Sequence, residues 1–252
     1  MRQLLPPGES FPTPELTEEQ LHSLYAYPQP LPEPWLRVNF VSSIDGAVSV
    51  QGRTAGLATP ADQQVFALLR ELADVILVGA GTARAEGYGG ARTTTALRAA
   101  RVARGQAPVP PIAVITASAR LDPTSALLTD TAVPPLVLTT ERAEPGRREL
   151  LAAAGATVLT VGENVVDPTA ALAALGERGL LRVLCEGGPT LFGELIGADL
   201  VEDLCLTTAP WLAPGAAGRI SAGPSVEPRA MTLAHALNDA DGTMLLRWLR
   251  RR

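Results

Sequence analysis

The chain has 252 residues, 46% hydrophobic and 19% charged, with a formal net charge of −5. That length and apolar content suit one α/β domain with a substantial core and exclude global disorder. All 21 basic residues are Arg, with no basic run beyond Arg250-Arg251-Arg252, so Schiff-base and P-loop lysines are excluded and no nucleic-acid partner is expected.

No apolar stretch approaches the ~20 residues of a membrane span. The N-terminus carries early prolines and lacks the apolar centre of a secretory signal, so a cytoplasmic protein without a membrane partner is expected. Cys185 and Cys205 lie in apolar runs and read as buried thiols. His22 and His235 have no Cys or carboxylate at ligand spacing, so no metal is expected.

Residues 1–35 hold eight prolines around a short polar helix, Thr17 to Tyr25, with Thr17 and Gln20 in a capping-box pattern. This segment reads as an arm against the body formed by residues 36–252. Leu36–Val41 predicts a strand, and Asp45-Gly46 a turn into a second strand, Ala47–Val50. Thr59-Pro60 opens a helix over 60–72, and Asp74–Val78 is an apolar strand of the kind buried on both faces. Residues 86–106 are polar and Arg-rich and predict a loop and a helix. Strands at 112–116, 136–140, 157–161, 182–185 and 203–208 then alternate with helices at 146–154, 168–178 and 189–196. Residues 230–237 and 243–250 read as a closing antiparallel pair. The expectation is an α/β fold with a mixed, mostly parallel sheet, helices on both faces and antiparallel C-terminal strands.

Two glycine turns follow apolar strands. Gly79-Ala80-Gly81-Thr82 permits close backbone approach to a phosphate, but Arg84 stands where a dinucleotide fingerprint needs its third glycine. Glu186-Gly187-Gly188-Pro189-Thr190 places two glycines before a proline suited to the first position of a helix, so free N–H groups and the helix dipole can face an anion. A tight strand-to-helix turn without a ligand explains the same pattern. Glu186 ends its strand, where open α/β sheets bind ligands, and Asp45 sits at another strand end. Both are candidate catalytic carboxylates, and pattern alone leaves paired-carboxylate hydrolysis open. Ser/His/Asp and Cys/His nucleophile schemes lack a suitably placed His.

The ordered set Ser43-Ile44-Asp45-Gly46, Gly52-Arg53-Thr54, Thr59-Pro60 with Leu69-Arg70, Gly79–Thr82 and Glu186–Leu191 resembles the pyrimidine reductase family of riboflavin biosynthesis. This is the C-terminal reductase half of the bifunctional deaminase–reductase. The resemblance covers about Leu36 to Arg250 and implies a dihydrofolate-reductase-like, three-layer fold. It also implies NADPH-dependent reduction of a ribosylamino-pyrimidine 5′-phosphate, with hydride transfer to C1′ of the ring-opened imine. By position it implies cofactor contacts at Val41, Gly56, Gly79, Gly81, Thr82, Glu86, Ser118, Gly187, Gly188, Pro189, Thr190, Leu191 and Phe192. Substrate contacts are implied at Asn39, Thr54, Arg70, Arg92 and Glu186, and a homodimer is expected, with Thr243–Trp248 as a candidate interface. The chain departs from the family where a Lys is common at Asn39, where Glu86-Gly87-Tyr88 replaces Asp-Asp-Pro, and at Gly56, where an aromatic is usual. No deaminase zinc motif occurs. The proton donor stays open between Asp45, Glu186 and water. Two other readings stand beside the first: a reductase of a pterin- or dihydrofolate-like heterocycle, and a non-catalytic nucleotide-binding protein.

Overall fold

A computed structural model describes residues 1–5 and 15–251. Its elements run β1 (Arg2–Leu5), α1 (Glu18–Tyr25), β2 (Trp35–Ser43), a 3-10 turn (Thr54–Gly56), α2 (Pro60–Leu72), β3 (Val75–Gly79), α3 (Ala80–Ala85) and α4 (Thr95–Ala103). They continue as β4 (Ile112–Ile115), α5 (Ala126–Thr129), β5 (Leu136–Thr139), α6 (Pro145–Ala153), β6 (Thr157–Thr160), α7 (Pro168–Gly176) and β7 (Arg182–Cys185). The last are α8 (Pro189–Gly197), β8 (Asp203–Ala209), β9 (Met231–Asn238) and β10 (Met244–Arg250). The Thr17–Gln20 capping box forms as expected, each side chain accepting from the other residue's backbone N–H.

The chain divides into two compact units. The first comprises Pro30–Trp35 and Arg70–Gly188. Its strands lie in the order β7, β3, β4, β5, β6, and every neighbouring pair is parallel. Parallel strands covered on both faces need continuous apolar runs, and Val75, Ile76, Leu77 and Val78 of β3 are all fully buried. Ile76, Val78, Ile112, Val114 and Val137 pack with Leu127, Leu128 and Leu151 into one core cluster. Two side chains from the Arg-rich segment finish α2 inside this unit. Arg101, fully buried on α4, donates to the carbonyls of Glu71 at 2.6 Å and Ala73 at 2.8 Å, and Gln106 donates to that of Leu72 at 3.0 Å. The orphan carbonyls of the helix end are thereby satisfied.

The second unit comprises Met1–Gln29, Leu36–Leu69 and Pro189–Arg252. Its strands lie in the order β1, β9, β10, β8, β2, antiparallel except for the parallel β8–β2 pair. Side chains along β8 alternate between buried and half-buried, as a period of two requires. Within this unit Asp203 binds two guanidinium groups, that of Arg37 at 2.7 Å and that of Arg247 at 2.8 Å. The same arginines reach the end of α1: Arg37 donates to the Tyr25 carbonyl at 2.7 Å, and Arg247 donates to those of Leu24 and Ala26. Buried charge is tolerated here because each guanidinium meets both a carboxylate and a helix terminus.

His235 packs edge-on against Tyr25 with ring centroids 4.8 Å apart, and only 2% of its surface is exposed. Burial, helped by the Arg247 charge, lowers its imidazole to about 4. The unfolded chain, with an ordinary value of about 6.5, therefore binds more protons between those limits. This contribution is complete above the unfolded value and is lost as pH falls towards the folded one. His235→Phe should flatten the fall in denaturant-derived stability between pH 6.5 and 4 by about 3 kcal/mol, measured as paired urea midpoints across that window.

Three local readings are corrected. Ala47–Val50 is not a strand: Ser43 N–H donates to the Ala47 carbonyl at 2.9 Å and Ala47 N–H returns to Ser43 Oγ at 2.9 Å, closing a tight loop with one isolated bridge from Val50 to Arg53. Gly79–Thr82 is not a turn, because Gly79 is an extended N-cap and α3 starts at Ala80. β1 and α5, each four residues long, are too short to leave a periodic pattern, and β1 takes its place by pairing Arg2 with Asn238. Residues 6–14 of the expected arm lie outside the described residues. Both cysteines are buried thiols, and burial pushes Cys185 up to about 12.

Candidate active site

The first unit sets the two glycine segments side by side. β3 and β7 pair in parallel through Val75–Val183, Ile76–Leu184 and Leu77–Cys185, so their carboxyl ends are neighbours. Gly79 N–H donates to the Gly187 carbonyl at 2.7 Å, and Glu186 N–H donates to that of Leu77 at 2.9 Å. Gly187 has φ +92°, a conformation only glycine adopts freely, and a cis peptide joins it to Gly188. A Cβ at Gly188 would lie 2.3 Å from Thr82 Oγ1. Thr82, predicted beside the cofactor, therefore stands against the glycine pair. A Cβ at Gly81 would meet nothing within 4 Å, and Glu86 is the half-buried C-cap of α3.

Glu186 follows β7 and turns its carboxylate onto the end of α2. Arg70 grips it through two hydrogen bonds, Nε to Oε1 at 2.6 Å and Nη2 to Oε2 at 2.7 Å. This bidentate fork is the strongest arrangement a guanidinium and a carboxylate can form. Tyr88 adds a third bond, its hydroxyl donating to Oε2 at 2.5 Å, and the Arg70 guanidinium lies 5.6 Å from the centre of its ring. Burial, then the adjacent Glu186 carboxylate, pushes the Tyr88 phenol well above its ordinary range, so it stays a proton donor. The Glu186 side chain is only 2% exposed against 31% for Arg70. The carboxylate is the inner member of the pair.

Tyr88 is the member of this cluster that sequence reasoning missed. It marked only a departure in the loop after α3, and nothing local said that its hydroxyl would meet a residue 98 positions away. Arg101 was missed likewise, being one Arg among several on a polar segment.

Ser118 follows β4 and lines a cleft of about 360 Å³ with Arg120, Thr140, Arg142, Arg147 and Asn164. These residues come from the carboxyl ends of β4 and β5, the loop after β6 and the first turn of α6. Glu144 also lines the cleft and pairs with Arg147 at 3.4 Å, so guanidinium groups, hydroxyls and one carboxylate meet there. Arg92, expected to meet a substrate phosphate, forms an exposed ion pair with Asp130.

In the second unit, Asp45 is exposed and closes its loop. It accepts from Ser43 Oγ and from Ala213 N–H at 3.0 Å, bonds that hold its carboxyl below the usual range, the Ser43 bond foremost. It lines a cavity of about 500 Å³ with Ser42, Leu206 and Arg219. Thr54 and Gly56 form the exposed 3-10 turn, and a Cβ at Gly56 would meet that of Val50 at 2.9 Å. Asn39 and Val41 are half-buried on β2, opposite Cys205 and Thr207 of β8. Pro189 and Thr190 open α8, whereas Leu191 and Phe192 are buried, Phe192 packing on Phe40 with centroids 5.2 Å apart. Among the described residues no group of three or more His, Cys, Asp or Glu forms a metal site, and no described helix is long and apolar enough to cross a membrane.

Comparison with known proteins places these observations. A 2,5-diamino-6-ribosylamino-4(3H)-pyrimidinone 5′-phosphate reductase of Archaeoglobus fulgidus is 30% identical over 178 residues, spanning 70% of this chain and 80% of the relative. A protein of the same description from Aquifex aeolicus is 29% identical, spanning 69% and 75%. In fold, a pyrimidine reductase-like protein from Corynebacterium diphtheriae superposes with a TM-score of 0.81 over 92% of this chain and 98% of its own, at 24% identity. The profile of the RibD C-terminal domain matches residues 34–245, so the chain belongs to the RibD C-terminal domain family.

Proposed function

We propose that the chain is an NADPH-dependent reductase of a ribosylamino-pyrimidine 5′-phosphate, converting the ribosylamino to the ribitylamino group. The observation that carries this reading is the pairing of the two glycine segments on β3 and β7, with Glu186 and its Arg70 fork one residue before the turn. Relatives described as reductases of such a compound support it.

The residues present suit the cofactor. Gly188 has no room for a side chain against Thr82, which keeps the backbone bare for a pyrophosphate, and the Arg120 and Arg142 guanidinium groups of the Ser118 cleft suit an adenosine 2′-phosphate, which would favour NADPH over NADH. NADPH, when bound, supplies the hydride for C1′ of the opened sugar imine. The protein's share is binding and orientation: Gly79, Gly81, Thr82, Glu86, Gly187 and Gly188 on the cofactor side, Arg70 with Glu186 on the substrate side. The same reading assigns Val41, Gly56 and the first turn of α8 to the cofactor and Asn39, Thr54 and Arg92 to the substrate. It makes residues 36–252 the reductase domain with 1–35 as its arm, in a cytoplasmic homodimer, and sedimentation equilibrium tests the dimer.

The test is oxidation of NADPH, followed at the nicotinamide absorbance, with the ribosylamino-pyrimidine 5′-phosphate and with dihydrofolate in parallel. Turnover of the pyrimidine alone is expected. Turnover of dihydrofolate alone would replace this reading with the pterin-type one, and binding without any turnover would make the chain a nucleotide-binding protein. Gly188→Val should raise the NADPH dissociation constant by at least about tenfold in a fluorescence titration, since its Cβ would collide with Thr82 Oγ1 and its backbone loses the glycine pair's freedom.

A further inference from the structure

We infer that Gln51 and Trp211 form a recognition site for the pyrimidine ring of the substrate, the Gln51 amide reading its lactam edge and the Trp211 indole covering its face. The inference deepens the proposed function and rests on it for the identity of that ring.

Within the second unit β2 and β8 run parallel as far as Ser43 and Ala209, and the loops that leave their carboxyl ends enclose a cavity of about 630 Å³. Such strand ends are where open α/β sheets hold ligands. Gln51, Gly52 and Gly56 line the cavity from one loop, Trp211, Leu212 and Pro214 from the other, and no charged residue lines it. An uncharged lining suits a neutral ring and not a phosphate. Trp211 is 53% exposed, yet its backbone is fixed: its N–H donates to the Ala209 carbonyl at 2.7 Å, and its carbonyl accepts from Ile44 N–H at 2.9 Å. A large aromatic side chain pinned at a cavity and still open to solvent is a surface for another planar ring.

Gln51 is the more specific element. Val50 and Arg53 exchange both backbone hydrogen bonds, at 3.0 and 3.1 Å, so Gln51-Gly52 is a two-residue hairpin turn. Gln51 has φ +51° and Gly52 φ +79°, the positive pair that a type I′ turn requires. Asn, Asp or Gly is the usual first residue there, and Gln takes the left-handed conformation with strain. Strain held at a cavity wall points to the side chain as the reason for the residue. The Gln51 amide has no hydrogen-bond partner among the described residues, so its carbonyl and its NH2 are both available. An amide matches a lactam, whose ring N–H and adjacent carbonyl are the complementary donor and acceptor.

Gln51→Asn separates this role from a structural one, because Asn suits the turn better while its amide reaches one methylene less far. The variant should keep or raise the urea midpoint, yet raise KM for the ribosylamino-pyrimidine 5′-phosphate at least about tenfold, with the NADPH dissociation constant within about twofold. A residue that only shapes the turn would leave KM unchanged, and that result overturns the inference. The ring alone gives a second readout, without turnover. Uracil should quench wild-type tryptophan fluorescence with an affinity at least about tenfold above that of 1,3-dimethyluracil, which keeps the ring and loses its N–H donors. Gln51→Asn should lose most of that preference, and Trp211→Leu should abolish the quenching. Equal binding of the two uracils, or quenching that survives Trp211→Leu, overturns the inference. So does tighter binding of nicotinamide than of uracil, which would give the cavity to the cofactor ring. Wild-type inactivity on the pyrimidine phosphate would instead overturn the proposed function, and the uracil titrations would still decide what the cavity takes.

Discussion

Asp203→Asn should destabilise the protein by about 3–5 kcal/mol, the cost of leaving buried charge without its partner. Arg37 is fully buried and the Arg247 side chain only 9% exposed, so neither guanidinium can turn to water once the carboxylate is gone. The carbonyls of Leu24, Tyr25 and Ala26 would remain as their partners, and carbonyl dipoles do not replace a full negative charge. The measurement is a urea unfolding curve at pH 7, with a lower midpoint and an unchanged slope expected. A shift under about 1 kcal/mol would mean that the helix-terminus carbonyls alone stabilise the two cations.

The same carboxylate has its own pH signature. Burial raises Asp203, but the charges of Arg37 and Arg247 outweigh it and hold the group below its ordinary value. Its stabilisation is therefore present above the unfolded value of about 4 and lost as pH falls through the lower folded one. His235 loses its contribution in the window above, between about 6.5 and 4, so the two groups in one cluster titrate in succession.

Glu186→Gln should lower kcat/KM by about 100-fold, close to 3 kcal/mol of transition-state stabilisation, while the NADPH dissociation constant stays within about twofold. The amide keeps the size of the carboxylate but offers a single oxygen, so the Arg70 fork loses one arm and its charge complement. Cofactor binding is spared because the contact proposed for it is made by the backbone of the next two residues. Steady-state kinetics with a parallel NADPH titration check this. Unchanged kinetics would show that the Arg70–Glu186 pair is structural. Loss of cofactor affinity would show that Glu186 supports the glycine turn.

The helical and strand periods were legible because burial imposes them locally. Asp74–Val78 reads as a two-face buried strand from five consecutive residues, and β3 is one. Thr17 with Gln20, and proline as the first residue of each of α6, α7 and α8, mark helix starts for the same reason. Asp45 shows the limit. A carboxylate at a strand end is compatible with catalysis or with a turn, and while its bond from Ser43 is local, the one from Ala213 comes from a loop 168 residues further on.

By itself the sequence determined the α/β alternation, the two glycine segments and the order of motifs shared with the family, since each is carried by residues close together in the chain. Only the tertiary structure decided that Gly79 and Gly187 would be hydrogen-bonded neighbours and that Arg70, Tyr88 and Glu186 would form one cluster. The reason is that strand order is not written in any one segment. β7 pairs with β3 rather than with β6, the strand preceding it, and that crossover carries Glu186 back over 100 residues to the end of α2.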